Sequence, residues 1–198
     1  YCSRRQRQMC IRDRFTSSLN NASGTGGIQS PTNTASGYAS TAMGRETTAS
    51  GYVSTAMGAG TTASGSVATA MGAGYAGGDY STAMGAGTYA SGDYSTAMGN
   101  GTTASGNDST AMGDNTTASD YGSLVIGQNN LLGSTVTNNA TEFSTENTAF
   151  VIGNGADADN RSDALTVLFD GTTNIAGSVT ATSFIGDGSQ LTLSLIHI

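Results

Sequence analysis

Apolar positions are sparse along this chain, and between Thr34 and about Asn130 they recur in one fixed phrase. It is written seven times, as TASGYASTAMG, TASGYVSTAMG, TASGSVATAMG, YAGGDYSTAMG, YASGDYSTAMG, TASGNDSTAMG and TASDYGSLVIG. The apolar anchors are Met43, Met57, Met71, Met84, Met98 and Met112, with Ile126 in the seventh slot. They lie 14 residues apart, except for one 13-residue step from Met71 to Met84. A strict short period predicts a repeat architecture. Nothing in the unit recurs at helical spacing, and each of its glycines would cost a helix about 1 kcal/mol relative to alanine. Two strands of four or five residues and two tight turns do fit into 14 positions. Each unit is therefore predicted to form one coil of a β-solenoid, stacked on the last at about 4.8 Å with like residues in columns.

Alternation within the phrase assigns faces. Every second position before the anchor gives Thr41, Thr55, Thr69, Thr82, Thr96 and Thr110, and two further back Ala39, Val53, Val67, Tyr80, Tyr94 and Asp108. The opposite parity holds Ala42, Ala56, Ala70, Ala83, Ala97 and Ala111, preceded by Ser40, Ser54, Ala68, Ser81, Ser95 and Ser109. The small face belongs where the two strands of a flat coil press together, which leaves the Met and Val face outside. Gly44, Gly58, Gly72, Gly85, Gly99, Gly113 and Gly127 follow the anchors, where a turn with φ > 0 is expected. A row of Met along a solenoid is a contiguous apolar patch of the kind soluble monomers rarely expose. A flat coil of Ala, Ser and Gly also buries little apolar area, at about 25 cal/mol per Å², to set against chain entropy. The expectation is an obligate homo-oligomer with the Met column towards the symmetry axis.

The phrase S-x-A-[MI]-G at a 14-residue period resembles the head repeats of trimeric autotransporter adhesins, the YadA-like head. SVATAMG at Ser66 to Gly72 and SLVIG at Ser123 to Gly127 come nearest to the usual SVAIG form. The resemblance covers about half of the chain, and Met in place of Ile in six anchors is its main departure. It implies an all-β, left-handed parallel β-roll, three chains around one axis, and a role in binding host or environmental surfaces. Similar repeats occur in bacterial surface fibres and in phage tail fibres, so a cell-surface or extracellular fibre and a virion tail are both compatible with it.

Composition agrees with a solenoid and narrows the partners. Only 36% of the 198 residues are hydrophobic, Trp is absent and Gly numbers 29, too little for a conventional globular core. Charged residues at 11%, combined with a fixed apolar period, argue against disorder. The opening YCSRRQRQMCIRDR carries five of the seven basic residues and both cysteines, Cys2 and Cys10, and none of the repeat's character. Residues 1–14 and 193–198 resemble translated sequencing adaptor and are kept out of the fold reading. The rest of the chain then has two arginines against 13 acids, a net charge of −11, which counts against nucleic acid as a partner. No apolar run is long enough to span a membrane, so no membrane insertion is expected in this segment.

The organisation expected is a Gly/Ser/Asn-rich lead-in over 15–33, in which Ile28 anchors a degenerate first coil or a flexible linker runs through the only proline, Pro31. The β-roll follows over 34–130. Residues 131–160 read as an irregular final coil, because Phe150-Val151-Ile152-Gly153 repeats the apolar-Gly phrase 26 residues after the seventh anchor. Its insertion, Leu131 to Asn147, either caps the roll or decorates it. Residues 161–192 read as a β-rich neck or connector: Leu165, Val167 and Phe169 alternate, Asp170-Gly171 signals a hairpin turn, and Ile175, Val179 and Phe184 continue in short strands. This stretch resembles the neck modules and chaperone-bearing ends of tail-fibre-like proteins.

Chemistry is hard to build from these residues. The sole histidine, His197, lies in the closing tail, which excludes a His-based relay or metal cluster, and no metal or cofactor is expected. Asp79, Tyr80, Asp93 and Tyr94 stack one coil apart with Asp108 nearby. They form a candidate surface-contact strip for carbohydrate or a weak calcium site, against the plainer reading of a solvated edge. Glycine phrases such as GAGTTASG lack the Lys and the strand-to-helix context of a phosphate loop. Ranked Thr raises ice binding as a rival, but Thr here alternates with Met, and Thr47-Thr48, Thr61-Thr62, Thr102-Thr103 and Thr116-Thr117 read as turn pairs. The function expected is a non-enzymatic structural and adhesive module of a homotrimeric fibre, its ligand unnamed by the sequence.

Overall fold

The computed structural model describes the backbone of residues 16–17 and 28–29, and residues 32–132 and 139–183 in full. Both terminal tails, Cys2, Cys10, Pro31, Phe184 and His197 lie outside the described residues. The described residues are all-β, with no helix among them. β1 (Thr16–Ser17) and β2 (Ile28–Gln29) pair antiparallel, and β2, which carries Ile28, also lies against the first long strand of the roll. From Thr34 the chain winds into a β-solenoid of about 14-residue coils, each built from one long strand, one short strand and two corners.

The long strands form one parallel ladder. It runs β4 (Thr41–Arg45), β6 (Thr55–Ala59), β8 (Thr69–Ala76), β9 (Thr82–Ala90), β10 (Thr96–Asn100), β12 (Thr110–Asp114), β14 (Leu124–Gln128) and β15 (Thr148–Asn154). The short strands β3 (Thr34–Ala35), β5 (Thr48–Ala49), β7 (Thr62–Ala63), β11 (Thr103–Ala104) and β13 (Thr117–Ala118) form a second, joined in its middle by the distal ends of β8 and β9. Register is residue for residue, Met98 opposite Met112 and Thr96 opposite Thr110, because every coil repeats the same inside–outside order.

The small residues lie inside. Ala42, Ala56, Ala70, Ala83, Ala97 and Ala111 from the long strands meet Ala49, Ala63, Ala76, Ala90, Ala104 and Ala118 from the short ones, all at most 1% exposed. Where alanine faces alanine the two strands can approach closely, since neither side chain is larger than a methyl group. The 13-residue step is absorbed at one corner. Gly74 stands where neighbouring coils hold Thr61 and Thr88, and a side chain there would run into the Thr88 hydroxyl. In that coil β8 runs straight through the corner, with a register irregularity between Ala73 and Tyr75.

Two readings of the strands need correction. Ala39, Val53, Val67, Tyr80, Tyr94 and Asp108 are not strand residues facing out beside Met; they sit at a corner in left-handed conformation, with φ from 50° to 58°. Each such backbone costs about 1–2 kcal/mol for a non-glycine residue. It persists because the coils bond across the corner: the Val53 N–H donates to the Tyr38 carbonyl at 2.7 Å and the Val67 N–H to that of Tyr52 at 2.6 Å. The Thr pairs are likewise not turn pairs. Thr47, Thr61, Thr102 and Thr116 point inside and are buried, while Thr48, Thr62, Thr103 and Thr117 begin the short strands. The true second corner precedes them, at Glu46, Gly60, Gly87, Gly101, Asn115 and Asn129, all with positive φ.

Asparagines stand at both ends of the inner Thr column. Asn33 accepts the Thr47 N–H at 3.1 Å and donates to the Gly44 carbonyl at 2.9 Å. Asn130 accepts the Thr117 N–H at 2.7 Å and returns a bond to the Thr117 carbonyl at 3.0 Å, pairing β13, the last short strand among the described residues. Asn130→Ala should cost about 2–4 kcal/mol, since it removes both bonds and leaves buried groups unpaired; urea unfolding measures it, and a loss under 0.5 kcal/mol, the scatter of a surface change, would contradict the capping role.

The corner glycine column Gly78, Gly92, Gly106 closes on Asp120. A Cβ on Gly92 would overlap the carbonyl oxygen of Gly106, whereas Asp120 carries a carboxylate that accepts the Thr148 N–H at 2.9 Å. Thr148 opens β15, so Asp120 receives the chain as it returns from the stretch Leu131 to Asn147. Residues 133–138 of that stretch lie outside the described residues. Asn139 and Ala140 lend their carbonyls to the N–H groups of Tyr121 (2.9 Å) and Asn107 (2.7 Å), continuing the corner bonds of the roll.

β16 (Asp163–Leu168) then pairs antiparallel with β15, and β17 (Thr173–Ile175) with β16. The turn between them is Phe169-Asp170, with the Gly171 N–H bonded to the Leu168 carbonyl. Phe169 therefore leaves the expected alternation, and its ring meets Phe143 edge-on at 5.1 Å. Val179 is exposed and lies in no strand.

Candidate assembly face and surface strips

The long-strand ladder carries one outward face along its whole length. Met43, Met57, Met71, Met84, Met98, Met112, Ile126 and Ile152 stand in unbroken register. Beside them runs the row Thr41, Thr55, Thr69, Thr82, Thr96, Thr110, Leu124 and Phe150. Neither row contains a charge. In the single chain the Met side chains are only partly covered: Met43 is 44% exposed and Met98 36%, while Met57, Met71, Met84 and Met112 are half-buried. Sequence reasoning found the anchors but missed that Leu124 and Phe150 make the companion row apolar at its C-terminal end. Their equal offset from Ile126 and Ile152 was the available signal.

All seven glycines after the anchors have positive φ, from 98° to 135°. The column is also sterically closed. A Cβ on Gly85 would overlap the Gly99 carbonyl oxygen, and the same holds from coil to coil.

The corner that follows the short strand holds the other candidate residues. Asp79 accepts the Ser66 N–H at 2.8 Å, Asp93 accepts the Asp79 N–H at 2.9 Å, and Asn107 accepts the Asp93 N–H at 3.0 Å. These side chains form a ladder that ties each coil to the one before. Tyr80 and Tyr94 stack face to face, ring centroids 5.0 Å apart and 1° from parallel. The structure thus brings Asp79, Tyr80, Asp93 and Tyr94 together, but each ring covers a face of the other and one oxygen of each carboxylate serves the backbone. A second stack, Tyr38 on Tyr52 at 5.2 Å and 8°, stands at the equivalent corner of the first coils. Tyr75 and Tyr89, on the short-strand ladder, are 6.2 Å apart and tilted by 42°. The Asp108 carboxylate beside Tyr121 raises its phenol above the ordinary value.

Among the described residues no three His, Cys, Asp or Glu side chains are grouped to hold a metal ion, and no helix is long and apolar enough to cross a membrane. A comparison with curated proteins finds no significant match. The YadA head domain repeat family matches at residues 35–52, 76–102 and 104–130, all within the solenoid. Heads of this family belong to adhesin-type, surface-exposed fibres, are non-enzymatic in general and form trimers in general. Most of the repeat region of this chain is thus similar to YadA head domain repeats.

Proposed function

We propose that the chain is a non-enzymatic structural and adhesive segment of a homotrimeric surface fibre, which binds host or environmental surfaces by avidity. The observation that carries this reading is the uncharged Thr/Met face, eight residues long in register and only partly covered in one chain. Three such faces turned towards a common axis would bury the Met row and supply the apolar area that an Ala-lined coil lacks. The corners and short-strand faces then point outward in triplicate at every coil. Weak contacts repeated along a rigid stack gain strength through effective concentration, with no single tight site required. Asp79, Tyr80, Asp93 and Tyr94 lie on such an outward corner.

Sedimentation equilibrium of the chain should give a trimer across the accessible concentration range. A folded, stable monomer would overturn the assignment of the Met face.

A further inference from the structure

We propose that the stacked tyrosine corners are oxidative cross-linking sites, at which Tyr80 and Tyr94, and likewise Tyr38 and Tyr52, couple to dityrosine within one chain and staple adjacent coils. The rings of Tyr80 and Tyr94 lie 5.0 Å apart and 1° from parallel, and those of Tyr38 and Tyr52 5.2 Å apart and 8° from parallel. All four are open to reagent, with exposures of 52%, 59%, 46% and 56% in that order. Around Tyr80 and Tyr94 the backbone is bonded from coil to coil. The Tyr94 N–H donates to the Asp79 carbonyl at 2.8 Å, the Tyr80 N–H to that of Ser66 at 2.7 Å, and Asp93 holds the Asp79 N–H at 2.9 Å. Two aromatic groups held at van der Waals range on a rigid frame react as one molecule, so coupling of neighbours outruns encounter with other chains.

The chemistry closes with a peroxide as oxidant and a haem peroxidase as the one-electron transfer agent. Each phenol gives up one electron and its hydroxyl proton. The two phenoxyl radicals join through ortho carbons in one new C–C bond, and the ortho hydrogens shift to oxygen, restoring both phenols. Hydrogen peroxide takes up the two electrons and two protons and leaves as two waters. The other tyrosines of the described residues are internal controls. Tyr75 and Tyr89 are farther apart and tilted, and the Tyr75 hydroxyl accepts a bond from Ser64 at 3.2 Å. Tyr121 has no ring partner among the described residues and lies beside Asp108. The site needs only solvent access at the corner and does not depend on how many chains assemble.

The test is limited oxidation of the full chain with a haem peroxidase and hydrogen peroxide, followed by cleavage before aspartate and mass spectrometry. Tyr94 is the sole tyrosine between Asp93 and Asn107, and Tyr80 shares the preceding fragment, Asp79 to Gly92, only with Tyr89. The expected product joins these two fragments with the loss of two hydrogens. It should survive Tyr89→Phe and disappear in Tyr80→Phe and in Tyr94→Phe, substitutions that keep the stacked rings. Circular dichroism verifies that each variant is folded. Oxidised protein in which Tyr80 and Tyr94 remain unlinked, or in which Tyr121 or links between chains dominate, would overturn the proposal.

Discussion

Gly85→Ala should unfold several coils, at a cost of more than about 4 kcal/mol, the range reserved for substitutions that violate a backbone constraint. Gly85 has φ +129°, a conformation that side-chain-bearing residues rarely adopt. Its missing Cβ would also overlap the carbonyl oxygen of Gly99 in the next coil, and the obstacle is backbone, which cannot rotate away. Relief requires the two coils to part, which breaks the pairing of β9 with β10 on which both depend. Gly60→Asn supplies the contrast. Gly60 also has positive φ, +67°, but nothing lies within 4 Å of its Cβ direction, and Asn115 and Asn129 occupy the same corner elsewhere. That change should lie within about 0.5 kcal/mol of neutral, the usual scatter of a surface substitution. Chemical denaturation of both variants decides the matter: equal effects would mean that φ alone, and not coil-to-coil contact, governs these glycines.

Met71→Asp combined with Met84→Asp should convert the proposed trimer to separate chains. The two residues are direct partners on β8 and β9, half-buried in one chain and placed on the proposed axis. Three chains would bring six carboxylates together with no basic residue in either outward row. Each unpaired charge buried in this way costs on the order of 3–5 kcal/mol. The same residues are partly solvated in a lone chain, so the variant should weaken the coil itself far less than it weakens association. Met71→Leu with Met84→Leu conserves volume and should leave the proposed trimer intact. Sedimentation of the two variants is the measurement, and a double-aspartate chain that still sediments as a trimer would rule out this face as the interface.

Much of the fold was legible along the chain because a stacked solenoid repeats its environment as faithfully as its sequence. The 14-residue period announced the coil, and parity within the phrase separated inward Ala83 and Ala97 from outward Met84 and Met98. Less legible was where a strand begins. Val53 and Val67 are β-branched and by propensity read as strand, yet both occupy a left-handed corner. Their local cost is offset by N–H to C=O bonds to the neighbouring coil, contacts that no single phrase reveals. The inner Thr column was misread for a related reason: adjacent threonines carry no mark of which one the corner turns inward.

The sequence by itself determined that the chain is a β-solenoid, which positions are small enough to lie inside it, and that one apolar row remains outside. Those conclusions follow from side-chain size and period, which are local quantities. Only the tertiary structure decided which residues take the corners, that Asp120 and Asn130 pair the groups left over where the stack is interrupted, and that Asp79 and Asp93 form a backbone-bonded ladder under a tyrosine stack. Each of these depends on hydrogen bonds between residues 13 to 28 positions apart in the chain, whose partners are set by the stacking of whole coils.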